Sequence, residues 1–108
     1  MKIRLLFEFG FYPIFIDRFN GTEWPENTMP EDWESDEELV ALNEQVGDMW
    51  TSFYVDEPHK KFEFVGPANP EEKQTFKELS DRLISLVHKH ADGKYEVIDE
   101  MTSQIEKL

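Results

Sequence analysis

The three histidines are the residues of this sequence best suited to catalysis or metal binding. His88 and His90 lie two residues apart in a predicted helix, so their side chains point roughly 200° apart and cannot chelate one ion. His59 lies in a predicted loop, where no serine or cysteine motif offers a nucleophile that it could activate. The histidines therefore predict neither a nucleophilic triad nor a metal site.

Carboxylates are abundant, with 24 Asp and Glu residues in 108, so a catalytic or metal-binding pair chosen from them would carry no information. The alternating Asp or Asn pattern of a calcium loop is absent, and the five glycines form no phosphate-binding loop. The chain has no cysteine, which excludes thiolate nucleophiles and disulfides. We expect a protein that is not an enzyme, with no catalytic residue, no cofactor and no metal.

The net charge of −13 is concentrated in one segment, residues 19–59, which holds twelve Asp and Glu residues and no Lys or Arg. Such a segment cannot neutralise phosphates, so direct nucleic-acid binding is disfavoured. A concentrated negative field instead speeds the encounter with a basic partner, and nucleases are a common class of basic protein. The simpler alternative is that the acidic residues only keep a small protein soluble.

Two tryptophans, Trp24 and Trp33, fall in the same acidic, proline-containing loop, whereas Trp50 fits the apolar stripe of a predicted helix. Exposed aromatic residues among acids are typical of interaction surfaces, because aromatic anchors dominate binding energy while charges steer association. The alternative is that the loop folds back and buries both rings. The predicted partner-binding surface within residues 23–48 consists of Trp24, Glu31, Asp32, Trp33, Glu34, Glu37, Glu44 and Asp48.

Two helices are predicted from capping signals followed by apolar residues at three- and four-residue steps. The first begins at Ser35, which can cap the N terminus while Glu38 reaches back to it. The second begins at Asn69 with Pro70 in the first helical position, and Gly93 marks its end.

Four strands are predicted, at residues 3–9, 11–16, 61–65 and 95–98, because apolar and polar residues alternate there or form short extended runs. The tail from 99 to 108 is predicted to be either a short packed helix or frayed. The order β-β-α-β-α-β predicts an α+β fold in a single domain, residues 1–108. Its small antiparallel or mixed sheet of about four strands would carry two main helices on one face.

No apolar run approaches the ~20 residues that a membrane-spanning helix needs. The opening residues alternate charge with apolarity instead of forming the apolar core of a signal peptide. We therefore expect a cytoplasmic protein without membrane contact.

Four segments carry a resemblance that spans nearly the whole chain: residues 9–16 (FGFYPIFI), the acidic loop running into 36–39 (DEEL), residues 50–54 (WTSFY), and 62–66 (FEFVG) followed by a Glu-rich amphipathic helix. In these the chain resembles small acidic immunity proteins of bacterial polymorphic-toxin systems, particularly those of contact-dependent growth inhibition. The resemblance implies a protein that binds and blocks a cognate toxin domain, commonly a nuclease, in the cytoplasm of the producing cell. Two alternatives stay open: an acidic mimic of nucleic acid such as an anti-restriction factor, and a non-enzymatic acidic interaction domain.

Overall fold

Five short strands and three α-helices make up the fold in the computed structural model, which describes residues 1–55 and 62–108. The strands are β1 (Lys2–Leu5), β2 (Ile14–Asp17), β3 (Tyr54–Val55), β4 (Glu63–Phe64) and β5 (Glu96–Asp99). The helices are α1 (Glu37–Ser52), α2 (Pro70–Ala91) and α3 (Met101–Glu106), and a short 3-10 helix (Glu31–Ser35) precedes α1. The α+β class predicted from the sequence is confirmed.

The fold contains two small sheets, one mixed and one antiparallel, instead of the single sheet of about four strands that the sequence predicts. In the larger sheet β1 lies between β2, which is antiparallel to it, and β5, which is parallel. In the smaller sheet β3 pairs with β4 in antiparallel fashion. The predicted order β-β-α-β-α-β omitted β3, because two residues are too few to produce an alternating pattern. Residues 56–61, which include His59 and the start of the predicted strand at 61–65, lie outside the described residues.

The first two strands are shorter than predicted because other groups satisfy the backbone beyond them. β1 ends at Leu5, and the main chain of Phe7 bonds instead to the side chain of Gln104. The Phe7 N–H donates to Gln104 Oε1 at 2.8 Å, and Gln104 Nε2 donates to the Phe7 carbonyl at 3.1 Å. β2 begins only after Pro13, which has no N–H to donate to a ladder.

The N-cap of the first long helix lies one residue later than predicted, at Asp36 instead of Ser35. Ser35 ends the 3-10 helix, and Asp36 is the N-cap of α1, its Oδ1 accepting from the Leu39 N–H at 3.1 Å. The predicted reciprocal capping between Ser35 and Glu38 is therefore wrong. Both residues are good capping types, and the preceding 3-10 helix decides between them.

The start of α2 is confirmed, with Asn69 Oδ1 accepting from the Glu72 N–H at 2.8 Å and Pro70 in the first helical position. The helix ends at Asp92 and Gly93, both of which have positive φ. The tail forms α3 instead of fraying, because Met101 and Ile105 are buried.

One hydrophobic core joins the larger sheet to all three helices. It includes Ile3 and Leu5 of β1, Ile14 and Ile16 of β2, Leu39 and Val46 of α1, Leu83 and Val87 of α2, and Met101 of α3. Within the described part of the chain, no helix combines the length and the apolar character that crossing a membrane requires.

Candidate partner-binding surface

Three adjacent shallow depressions follow the outer side of the 3-10 helix and of α1. Exposed carboxylates line each of them, and Glu34 and Glu44 each line two, so that the depressions form one continuous surface. We call these carboxylates the acidic band: Glu31, Asp32, Glu34, Glu44 and Asp48. The structure thus brings together five of the eight residues that the sequence predicted for a partner surface.

The 3-10 helix presents three members of the band because its one buried residue, Trp33, holds it against the core. Trp33 is 1% exposed, and its ring lies 5.6 Å from the His90 ring and 5.7 Å from the Tyr95 ring, measured between centroids. With Trp33 pointing inward, the neighbouring Asp32 and Glu34 are left exposed to solvent.

The structure does not bear out the predicted exposure of Trp33, because its indole is 1% exposed and is part of the hydrophobic core. Trp24 behaves in the opposite way, with 70% of its surface exposed. It does not line the three depressions but lies two residues before Glu26, which forms an isolated bridge with Ile16 of β2. Glu37 is also exposed, on the first turn of α1, and lines none of these three depressions.

The loop that bears Trp24 begins at a tight turn formed by Asn20 and Gly21, both of which have positive φ. Asp17 stabilises this turn, because its Oδ1 accepts from the Phe19 N–H at 3.0 Å and the Gly21 N–H at 3.2 Å. The bond from Gly21 is the main reason that the pKa of Asp17 lies below its ordinary value. The buried Asp17 therefore holds the entry to the acidic loop as a carboxylate.

Asp36 connects the start of α1 to the end of α2. Its Oδ2 lies 2.8 Å from His90 Nε2, while its Oδ1 accepts the capping bond from Leu39. The hydrogen bond with His90 is the largest cause that lowers the pKa of Asp36, and the Leu39 N–H adds to it. A carboxylate that holds both helices in this way fixes the position of the 3-10 helix immediately before it.

The loop between β1 and β2 forms the opposite wall of the surface, and Asn27 holds it in place. Asn27 Oδ1 accepts from the Tyr12 N–H at 3.1 Å, and its Nδ2 donates to the Tyr12 carbonyl at 2.6 Å. The loop also packs closely on α1 at Gly47, where a Cβ atom would lie 2.7 Å from Tyr12 Cδ1 and 3.1 Å from Tyr12 Cα. Only glycine allows this approach.

The carboxylates of the acidic band form no ion pair with a basic residue of the described chain, although Arg18 lines the same depression as Glu31 and Asp32. The arginines there pair with other acids: Arg4 with Glu100, Arg18 with Glu26, and Arg82 with Glu38. Among residues 1–55 and 62–108, no ion pair involves a member of the band. The negative charge of the band is therefore not paired within the part of the chain that the structure describes.

The groups that this surface presents are carboxylates and partly exposed apolar side chains. No three His, Asp or Glu side chains of the described residues are grouped so that they could hold a metal ion. His90 is engaged by Asp36, and His88 is exposed on α2.

Sequence reasoning missed the residues that give the surface its shape, namely Tyr12, Asn27, Asn43 and Gly47. Tyr12 was assigned to a strand, although Pro13 already weakened that assignment. A glycine inside a strongly predicted helix often marks a close backbone approach, and Gly47 carried this signal.

The chain matches no protein-family profile, no curated protein and no solved structure.

Proposed function

We propose that this protein is an immunity protein that binds a cognate toxin domain, a basic nuclease, through the acidic band and thereby neutralises it. The observation that supports this proposal is the continuity of the band: five exposed carboxylates line one surface, and none of them forms an ion pair within the described chain. The resemblance in residues 9–16, 36–39, 50–54 and 62–66 points to the same function.

The carboxylates would act first on the rate of association. A dense patch of one sign attracts a partner of opposite sign over roughly a Debye length, about 8–10 Å at physiological salt. Such steering raises association rates by factors on the order of 10–1,000. A toxin must be blocked before it reaches its substrate, so speed of capture is the property that an acidic surface supplies best.

Neutralisation then follows from competition for the same cations. A nuclease holds the phosphates of its substrate with lysine and arginine side chains, and carboxylates can occupy those side chains instead. The substrate is excluded without any chemical step or cofactor in the inhibitor. A long-lived complex also needs desolvated apolar contacts, which the exposed Trp24 and the side chains of Met29, Val40 and Met49 within the depressions can provide.

The experiment that tests this proposal is rescue of bacterial growth from an induced toxin domain, taken from the reading frame beside this gene. We expect the parent protein to restore growth and the triple variant Glu34→Lys, Glu44→Lys, Asp48→Lys to fail. The matched control changes the same amount of charge elsewhere, with Glu63→Lys, Asp81→Lys and Glu106→Lys, all of which replace exposed acids.

The control should restore growth as the parent does. Equal failure of both triple variants would show that only total charge matters, and protection by the band variant would remove the acidic band from the site. Inhibition of many unrelated DNA-binding proteins by the parent would favour the nucleic-acid mimic instead.

A further inference from the structure

A further depression lies apart from the acidic band and has the opposite chemical character. It encloses about 500 Å³ between the segment that follows β4, the first turn of α2 and the residues after α3. Its lining includes two lysines and no carboxylate, whereas carboxylates line each of the three depressions of the band. We call it the lysine groove, and the side chains that line it include those of Phe64, Val65, Pro67, Lys73, Lys107 and Leu108.

One side of the lysine groove is apolar and open to solvent. Val65 is 56% exposed and Phe64 is 40% exposed, and both line the groove. The centroid of the Phe64 ring lies 4.8 Å from that of Trp50 and 4.9 Å from that of Tyr54, so the ring packs on other aromatic side chains while part of it stays uncovered. Large apolar side chains that are exposed next to one another are typical of an interaction surface.

The backbone beside these apolar side chains is fixed by hydrogen bonds within the fold. The Val65 and Gly66 N–H groups both donate to the Phe53 carbonyl, at 2.8 and 3.1 Å. Gly66 has a φ of +76°, which favours glycine, and the rigid ring of Pro67 follows it. A wall with a fixed backbone loses little conformational freedom when a partner binds, so the entropic cost of binding there is small.

Two lysines from distant parts of the sequence supply the charge of the groove. Lys73 lies in the first turn of α2, Lys107 follows α3, and both side chains are exposed. Within residues 1–55 and 62–108, neither lysine forms an ion pair. The groove therefore favours an occupant that carries a negative charge next to an apolar group, and it disfavours a basic occupant.

We infer that the lysine groove binds a segment of a partner protein in which a carboxylate lies beside an aromatic or aliphatic side chain. The carboxylate pairs with Lys73 and Lys107, and the apolar side chain covers Phe64 and Val65. This inference goes beyond the proposed function, because the toxin complex uses the acidic band and the groove shares no lining residue with the three depressions of the band.

A nucleic acid fits the lysine groove less well than a protein segment does. A chain of phosphates is held by many cations, and the groove offers two. The exposed acids Glu63 and Glu106 are sequence neighbours of the lining residues Phe64 and Lys107, so a long polyanion would meet them as well. A short segment with one carboxylate avoids this repulsion, because its single charge lies at the lysines.

The test uses two capped dipeptides that differ in one side chain, N-acetyl-Trp-Glu amide and N-acetyl-Trp-Gln amide. Each is titrated into the isotope-labelled protein and followed by NMR at physiological salt, which screens the more distant acids of the chain. We expect the glutamate probe to shift the backbone signals of Val65, Gly66 and Leu108. The glutamine probe should bind about two- to fivefold more weakly, the range expected for an exposed ion pair.

Four variants assign the effect to individual groups. Lys73→Gln and Lys107→Gln should each weaken the binding of the glutamate probe about two- to fivefold. Val65→Thr keeps the shape of the side chain but makes it polar, and it should weaken the binding of both probes. Lys89→Gln removes the same charge from an exposed position near the other end of α2 and should leave the binding unchanged. Spectra of each variant without probe show whether it is folded.

Equal binding of the two dipeptides, or equal weakening by Lys89→Gln and Lys107→Gln, would refute the groove as a carboxylate site. A short oligonucleotide that shifts the same signals at a lower concentration than the glutamate probe would make the groove a phosphate site instead. If the same signals shift when the protein alone is concentrated, the occupant is a second copy of this chain and the inference of a partner protein is wrong.

The growth experiment separates this inference from the proposed function. The double variant Lys73→Gln, Lys107→Gln should protect cells as the parent does, because the groove lies outside the acidic band. A folded double variant that fails to protect would make the groove part of the toxin interface and overturn its independence. If the glutamate probe binds as expected and the parent neutralises no toxin, the groove stands and the immunity function falls.

Discussion

Trp24 and Trp33 show how far one residue's role depends on contacts distant in sequence. Both lie in the same acidic loop, yet Trp24 is 70% exposed and Trp33 is part of the core. The difference comes from His90 and Tyr95, roughly sixty residues further along the chain, which pack on Trp33. No local pattern of charge or proline encodes such a contact, so the sequence left both rings equally open to either role.

Replacing each tryptophan by alanine should therefore give opposite results. Trp33→Ala removes a buried indole and should lower the free energy of unfolding by about 3–5 kcal/mol, as truncation of a large core aromatic does. Trp24→Ala should change it by less than about 0.5 kcal/mol, since the side chain is exposed. Urea unfolding of the parent and the two variants measures both values, and a Trp33→Ala variant as stable as the parent would contradict the burial of Trp33.

Trp24→Ala should matter for the complex instead of the fold. If Trp24 is an anchor beside the acidic band, its loss should speed dissociation of the toxin domain, by a factor on the order of ten or more. Surface-plasmon measurements of the off-rate with Trp24→Phe, which keeps an aromatic ring, provide the control. An unchanged off-rate in Trp24→Ala would restrict the interface to the depressions.

Among the elements, the long helices were the most predictable part of the fold, because the capping residue and the apolar stripe of each helix lie within one short stretch of sequence. Asn69 and Pro70 mark the start of α2 without ambiguity. The start of α1 was displaced by one residue, because Ser35 and Asp36 are both suitable caps and the choice depends on the buried Trp33. The pairing of β1 with β5 could not be predicted, since it joins strands from distant parts of the sequence.

The contact between the two long helices should make stability depend on pH through Asp36. Its pKa in the folded protein lies below the ordinary value of 3.8, because it accepts hydrogen bonds from His90 and from the Leu39 N–H. A lowered pKa contributes stability that is fully present above the ordinary value and is lost as pH falls through the folded value. The acidic arm of the stability curve should therefore contain a contribution from this residue.

Unfolding in urea at a series of pH values, for the parent and for Asp36→Asn, measures this contribution. Asparagine keeps the capping oxygen and removes the charge, so the parent should be the more stable protein near neutral pH. The difference should shrink as pH falls below about 3.8 and Asp36 is protonated. Asp81→Asn, at an exposed position, serves as the control, and a difference between parent and Asp36→Asn that is constant with pH would contradict the assignment.

At the scale of the whole molecule, the position of the negative charge matters more for the proposed association than its total amount. The sequence located it correctly within residues 19–59, and the fold divides that segment into an outward face with the acidic band and an inward face with Trp33, Leu39 and Val46. The concave shape of the surface was not predictable, because the loop carrying Tyr12 reaches it through side-chain bonds to Asn27.

The salt dependence of the association rate tests whether the position of the charge steers the toxin domain to this surface. The variant Glu34→Lys, Glu44→Lys, Asp48→Lys should associate with the toxin domain more slowly at low salt, by a factor on the order of 10–100, and its rate should vary less steeply with ionic strength. Stopped-flow measurements from low to high salt would detect both effects. The variant with lysine at positions 63, 81 and 106 should keep the steep dependence of the parent; a parallel loss in that variant would assign the steering to overall charge.

The parallel pairing of β1 with β5 has a consequence for newly made protein. β1 is the central strand, yet its residue Lys2 pairs with Glu96, which lies far along the chain and is synthesised much later. Trp33 likewise packs against His90 and Tyr95, which lie far along the chain. The turn that carries Glu31, Asp32 and Glu34 cannot reach its final position before that contact forms. Contacts between such distant residues slow folding, because a long loop must close before they form. The surface that carries these carboxylates therefore forms only after the segment that contains His90 and Tyr95 has joined the fold.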